Sequence, residues 1–143
     1  MTKHFTIILS LLCVSFIFQA APATASGLKK SDADYVIESA STKTHSMSAW
    51  CKKHDSVKIW VEGSSTAHFS DLKCKAVTIH VEGASTLCMT GTYIKKLNRV
   101  IEGSSTVNVT SGLVRHVDGN PTGGSTYNSY AAGSVPCGIL GPQ

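Results

Sequence analysis

The chain has little charge, no paired metal-ligand cysteines and no apolar run long enough to cross a bilayer. Charged residues make up 15% of its 143 residues, and 13 Lys+Arg against 9 Asp+Glu leave a net charge of only +4. Those cations are scattered along the sequence, which argues against nucleic acid as a partner. The longest apolar stretch, Phe5 to Phe18, falls short of the roughly 20 residues that a membrane-spanning helix needs. No Cys-x-x-Cys pair or Cys/His cluster marks a zinc site. Beyond residue 25 no stretch of useful length carries a helical period, so the rest of the chain reads as almost entirely β. What is present suffices for a fold. With 42% hydrophobic residues, 12 glycines and 4 prolines, the chain can bury a core and is no disordered polar tract. Its length allows one small domain.

Residues 1–25 run from a basic start (Lys3, His4) through the apolar stretch to Ala23-Thr24-Ala25. That order is a secretory signal peptide, with cleavage expected after Ala25. Export to the periplasm, cell surface or medium follows, with residues 26–143 as the mature domain and no transmembrane segment left after cleavage. Cys13 leaves with the signal, and the remaining Cys51, Cys74, Cys88 and Cys137 are even in number, as expected of disulfides in an oxidising compartment.

The mature chain is a repeat. Ile37-Glu38-Ser39-Ala40-Ser41-Thr42 is followed by Val61-Glu62-Gly63-Ser64-Ser65-Thr66, Val81-Glu82-Gly83-Ala84-Ser85-Thr86 and Ile101-Glu102-Gly103-Ser104-Ser105-Thr106, then by a decayed copy at 121–126. The copies start at 37, 61, 81, 101 and 121, a spacing of 24 and then of 20. Alternating segments follow three of them, at 67–69, 87–89 and 107–109, and others precede them, at 57–61 and 77–81. Period two marks half-buried strands. The third preceding segment, Leu97 to Ile101, slips out of phase at Arg99.

A unit of about 20 residues cannot bury its apolar face alone, but it can when stacked on identical neighbours. The fold class expected is therefore all-β, a parallel β-solenoid of about five coils of about 20 residues each, with ladders about 4.8 Å apart. Ala67, Leu87, Val107 and Tyr127 form one internal ladder; Phe69, Met89 and Val109 a second; Val57, Val77, Leu97 and Val117 a third. Glycines at 63, 83, 103 and 123 mark a corner of unusual backbone conformation, from which Ser39 departs, so the first coil is expected to turn differently. A leucine-rich repeat would need a leucine scaffold and a calcium-binding nonapeptide repeat would need regularly placed Asp; a compact sandwich of short strands is the alternative fold. Residues 26–36 and 127–143 are the expected end caps. Association of copies through the solenoid ends would follow if capping failed.

The units Gly63-Ser64-Ser65-Thr66, Gly83-Ala84-Ser85-Thr86 and Gly103-Ser104-Ser105-Thr106, each leading into an alternating strand, resemble the head GIN domain, a putative auto-transporter adhesin domain also described as a domain of unknown function. The resemblance spans roughly residues 33–130. It implies a right-handed, β-helix-like fold in a secreted or envelope protein of bacteria. It brings no catalytic or binding residues with it.

The column Glu38, Glu62, Glu82 and Glu102 is the first candidate site, because stacked coils would set carboxylates about 5 Å apart, where like charges repel. A bound cation, protonation, pairing with Lys58 or His80, or hydrogen bonds from hydroxyls and corner amides would relieve that repulsion. The Ser/Thr pairs read mainly as groups that satisfy corner backbone, and His68 as an exposed histidine sharing its column with Cys88, Asn108 and Asn128. Asp55, Asp71 and Asp118 share no column, and no catalytic residue or cofactor is indicated. Among the aromatic residues Trp60 has outward parity and is the first to test for recognition of a sugar or protein. Cys51 and Cys74 occupy similar places in successive coils, which favours Cys51–Cys74 and leaves Cys88 with Cys137. The chain therefore reads as a non-catalytic, adhesin-like binding module of the bacterial envelope, with a cell-surface glycan or envelope protein as partner. A structural envelope protein, or a small carbohydrate-active enzyme, is the alternative.

Overall fold

The computed structural model describes residues 27–110, 113–130 and 137. The expected signal peptide and most of the expected C-terminal cap lie outside these residues. Strands β1 (Tyr35–Ile37), β3 (Ser56–Val61), β5 (Lys73–Val81), β7 (Tyr93–Ile101) and β9 (Leu113–Asp118) make a first sheet in that order. Strands β2 (Thr42–Ser46), β4 (Thr66–Ser70), β6 (Thr86–Thr90), β8 (Thr106–Thr110) and β10 (Thr126–Tyr130) make a second. Every pairing is parallel, and each strand pairs with its counterpart one coil away. The chain is thus an all-β parallel solenoid, as its period requires.

The inward positions stack by residue type. Val57, Val77 and Leu97 are buried and in register in the first sheet, where Val117 of the last coil keeps the register but is exposed rather than internal; Ala67, Leu87 and Val107 are buried and in register in the second, with Tyr127 half-buried beyond them. Phe69, Met89 and Val109 continue the second sheet's core, and Phe69, Leu87, Met89, Ile59 and Ile79 are fully buried. Complete burial of such side chains stabilises the fold by about 1.5–3 kcal/mol each, which explains why stacking is needed: one coil alone leaves them in water.

The corner between the sheets is made by backbone packed on backbone. Gly83 has φ of +80°, and a Cβ placed on it would lie 2.4 Å from the carbonyl oxygen of Gly63. No side chain fits there. The amide of Ala84 donates to that same carbonyl, and Ser104 repeats the bond to Gly83 one coil later. Beneath the corner Ser65, Ser85 and Ser105 are buried and donate to the carbonyls of Ser39, Gly63 and Gly83 respectively. The serine column therefore satisfies buried backbone acceptors. The first coil does not turn differently: Ser39 itself takes the left-handed conformation, with φ of +59°. Among the described residues no coil precedes it whose carbonyl would lie under its Cβ.

Three further sequence expectations are corrected. A short helix, α1 (Ser48–His54), interrupts the β pattern. It explains the first spacing of 24 instead of 20, because the extra residues form this turn of helix between β2 and β3. Met47 and Cys51, one helical turn apart, bury its inner side, and Asp55, with φ of +59°, ends it. Seven residues are too few to show a period in sequence. Second, the strand containing Arg99 keeps its phase: Arg99 pairs in register with Ile79 and occupies an inward position. Its Nε donates to the Gly119 carbonyl at 2.9 Å and its guanidinium lies 4.1 Å from the Tyr127 ring centroid. One guanidinium nitrogen and the Tyr127 hydroxyl are buried without a hydrogen-bond partner. Third, the column of His68 is not uniformly exposed. Cys88 and Asn108 are buried, on a face to which a disulfide draws Cys137, and Asn128 donates to Asn108 at 2.9 Å.

Candidate functional site

Functional side chains in a solenoid stand on the outward positions, which carry no packing duty and can differ between coils. In the first sheet these positions form two chemically opposite regions, one at each end of the strands.

At the C-terminal ends of β3, β5 and β7 lies the carboxylate column. Its backbone continues the ladder, with the amides of Glu62, Glu82 and Glu102 donating to Ile37, Val61 and Val81. The charge is relieved pair by pair. Lys30, from a 3-10 turn at Lys30–Asp32, bridges Glu38 and Glu62, and Trp60 Nε1 donates to Glu62 Oε2 at 2.6 Å. The bond from Lys30, and then that from Trp60, holds the Glu62 carboxyl below the usual glutamate range. Lys30 thus takes a part for which Lys58 was one candidate; the Lys58 side chain makes no ion pair among the described residues. His80 Nε2 lies 3.1 Å from Glu82 Oε2. The Glu102 carboxylate has no hydrogen bond or ion pair among the described residues, and with His80 and Glu82 it brings ligating atoms within 4.8 Å of one another.

Trp60 faces outward, and one face of its ring is occupied. The register sets Trp60 beside His80, and the rings stack at 3.8 Å between centroids and 5° between planes.

At the other end of the same strands is a basic groove of about 360 Å³. Lys52 from α1, Lys73 and Lys75 from β5, and Lys95 and Tyr93 from β7 line it, with Asp55. The Cys51–Cys74 disulfide, with Cα atoms 5.0 Å apart, forms part of its wall and joins α1 to β5. Lys75 pairs with Asp55, and Lys73 stands 4.0 Å from Asp71. Lys52 and Lys95 have no ion pair among the described residues. Further along, Arg115 lies 5.7 Å from the Tyr93 ring centroid.

Reading the Glu-Gly-Ser-Ser-Thr copies alone missed this groove. Its signal was in the sequence: Lys75, Lys95 and Arg115 recur at the 20-residue period. The contribution of Lys52 was hidden because it depends on α1. Among the other aromatic residues, Trp50 and Tyr35 pack under the first coil around His45 and Phe69, with Tyr35 and Phe69 ring centroids 5.5 Å apart.

Comparison with family models, with curated proteins and with solved structures finds no match to this chain.

Proposed function

We propose that this protein is an exported, non-catalytic binding module of the bacterial envelope, and that its basic groove holds an acidic cell-surface glycan. The observation that carries this reading is the convergence of Lys52, Lys73, Lys75 and Lys95 on one groove with Asp55 as the acidic group in its lining. Ammonium groups on three elements present several donors to carboxylate, sulfate or phosphate substituents, and Tyr93 adds an apolar face beside them. The coil period suits a polymer, because Lys75, Lys95 and Arg115 repeat along the solenoid as charged groups repeat along a polysaccharide. Export is supported by the signal-like residues 1–25 and by the oxidised cysteine pairs. The adhesin-like role accords with the resemblance to the head GIN domain.

The test is a binding array of acidic and neutral glycans with the oxidised protein, alongside a Lys52→Ala/Lys95→Ala double variant. Neither lysine has an ion pair among the described residues, so the variant should remain folded. The expected result is retention of acidic glycans only, weakening with salt and falling at least about tenfold in the variant. Equal binding by the variant, or silence of the whole array with folded protein, overturns the reading.

A further inference from the structure

We propose that His80, Glu82 and Glu102 form a binding site for a divalent transition-metal ion of the zinc type. The site stands at the opposite end of the strands from the basic groove and does not depend on what that groove holds. Its three ligands come from two successive coils, and their ligating atoms already lie within 4.8 Å of one another. His80 Nε2 and Glu82 Oε2 are 3.1 Å apart. Two donors at that separation subtend about 100° at an ion held at zinc distances of about 2.0–2.1 Å, close to tetrahedral or octahedral geometry. The Glu102 carboxylate has no hydrogen bond or ion pair among the described residues to give up.

Three further features set this group apart from a row of surface acids. The imidazole is a nitrogen donor held in a defined plane by the stacked Trp60 ring, 5° from parallel, and the His80 side chain is only 13% exposed. Ligand orientation is thus fixed before any ion arrives. Charge also matches. Lys30 compensates the Glu38 and Glu62 end of the column, whereas Glu82 and Glu102 have no lysine or arginine partner among the described residues. A divalent cation neutralises those two carboxylates, with His80 neutral. The donor set then selects the metal. One imidazole and two carboxylates suit zinc and its neighbours, while calcium takes six to eight oxygen ligands, about twice what the site offers. Three protein ligands leave coordination positions open for water or for a donor group on a partner molecule.

The experiment is titration of the oxidised protein, free of any affinity tag, with zinc chloride and separately with calcium chloride. Heat of binding and tryptophan fluorescence are followed together, since the Trp60 ring lies on His80. One zinc ion per chain with a change in fluorescence is expected, and no response to calcium. Glu102→Gln, which disturbs no contact of the fold, should weaken zinc binding at least about tenfold, and His80→Ala should abolish it. His116→Ala, at a separate exposed histidine paired with Asp118, should leave it unchanged. Absence of zinc binding to the folded protein overturns the proposal. So does zinc binding that Glu102→Gln leaves intact, because the ion is then held elsewhere.

Discussion

The corner column and the outward columns belong to the same coils, yet they tolerate opposite things. At the corner, Gly83 stacks on Gly63 so closely that a single methyl group has no room. On the outside of the first sheet, Val36, Trp60, His80 and Val100 follow one another in register without keeping one residue type. The difference is between backbone touching backbone, which fixes composition, and side chains touching solvent, which leaves it free. Repetition in this protein therefore records packing. Function is to be sought where repetition fails or where a second, fainter period runs, as it does through Lys75, Lys95 and Arg115.

The strongest way to break this contrast is to place a side chain at the corner. Gly83→Ala combines left-handed strain of about 1–3 kcal/mol with overpacking of about 1–3 kcal/mol, so a loss of roughly 2–6 kcal/mol is expected. Urea unfolding checks it, with Thr78→Ala, at an outward half-buried position, as the control expected to cost little. An inward position sharpens the contrast from the other side. Arg99 takes the place of Ile59 and Ile79 in the inner ladder and leaves a buried nitrogen unpaired. Arg99→Ile should therefore stabilise the fold by about 1–2 kcal/mol despite losing the bond to Gly119, measurable as a higher urea midpoint.

The smallest effect belongs to the exposed pairing at Lys30. The sign follows from the depressed Glu62 carboxyl. Its contribution is present above the ordinary glutamate value of about 4.3 and is lost as pH falls through the lower folded value. Lys30→Met should unfold at slightly lower urea than the wild type at pH 7. Once the pH has fallen below the lowered folded value the two should converge.

Much of the fold was legible in the sequence because a coil's inward residues and its corner glycine are dictated by identical neighbours. The ladders through Leu87 and Met89, and the left-handed glycines, followed from spacing alone. What was not legible depends on contacts between unlike segments. Lys30 reaches Glu38 and Glu62 from outside the repeat, and α1 is too short to show periodicity. The phase of Arg99 was misread because a charged residue at an inward position imitates a register slip. Of the candidate site, the glutamate column and the outward parity of Trp60 could be read. The Val57–Val77 ladder already set Trp60 beside His80, but the stacking of the two rings could not be read, because it depends on side-chain torsions that spacing does not give.

The bond between Cys88 and Cys137 spans 49 residues, with Cα atoms 6.0 Å apart. Strands β7, β8, β9 and β10 all lie inside that loop. A pull applied at the C-terminal end of the chain therefore enters at Cys137 and passes directly to Cys88 in β6, bypassing the last coils. Those coils carry no tension while the bond is intact, and their length stays hidden from an extending force. Reduction would return them to the load path, so that the extensibility of the molecule is set by its thiol chemistry.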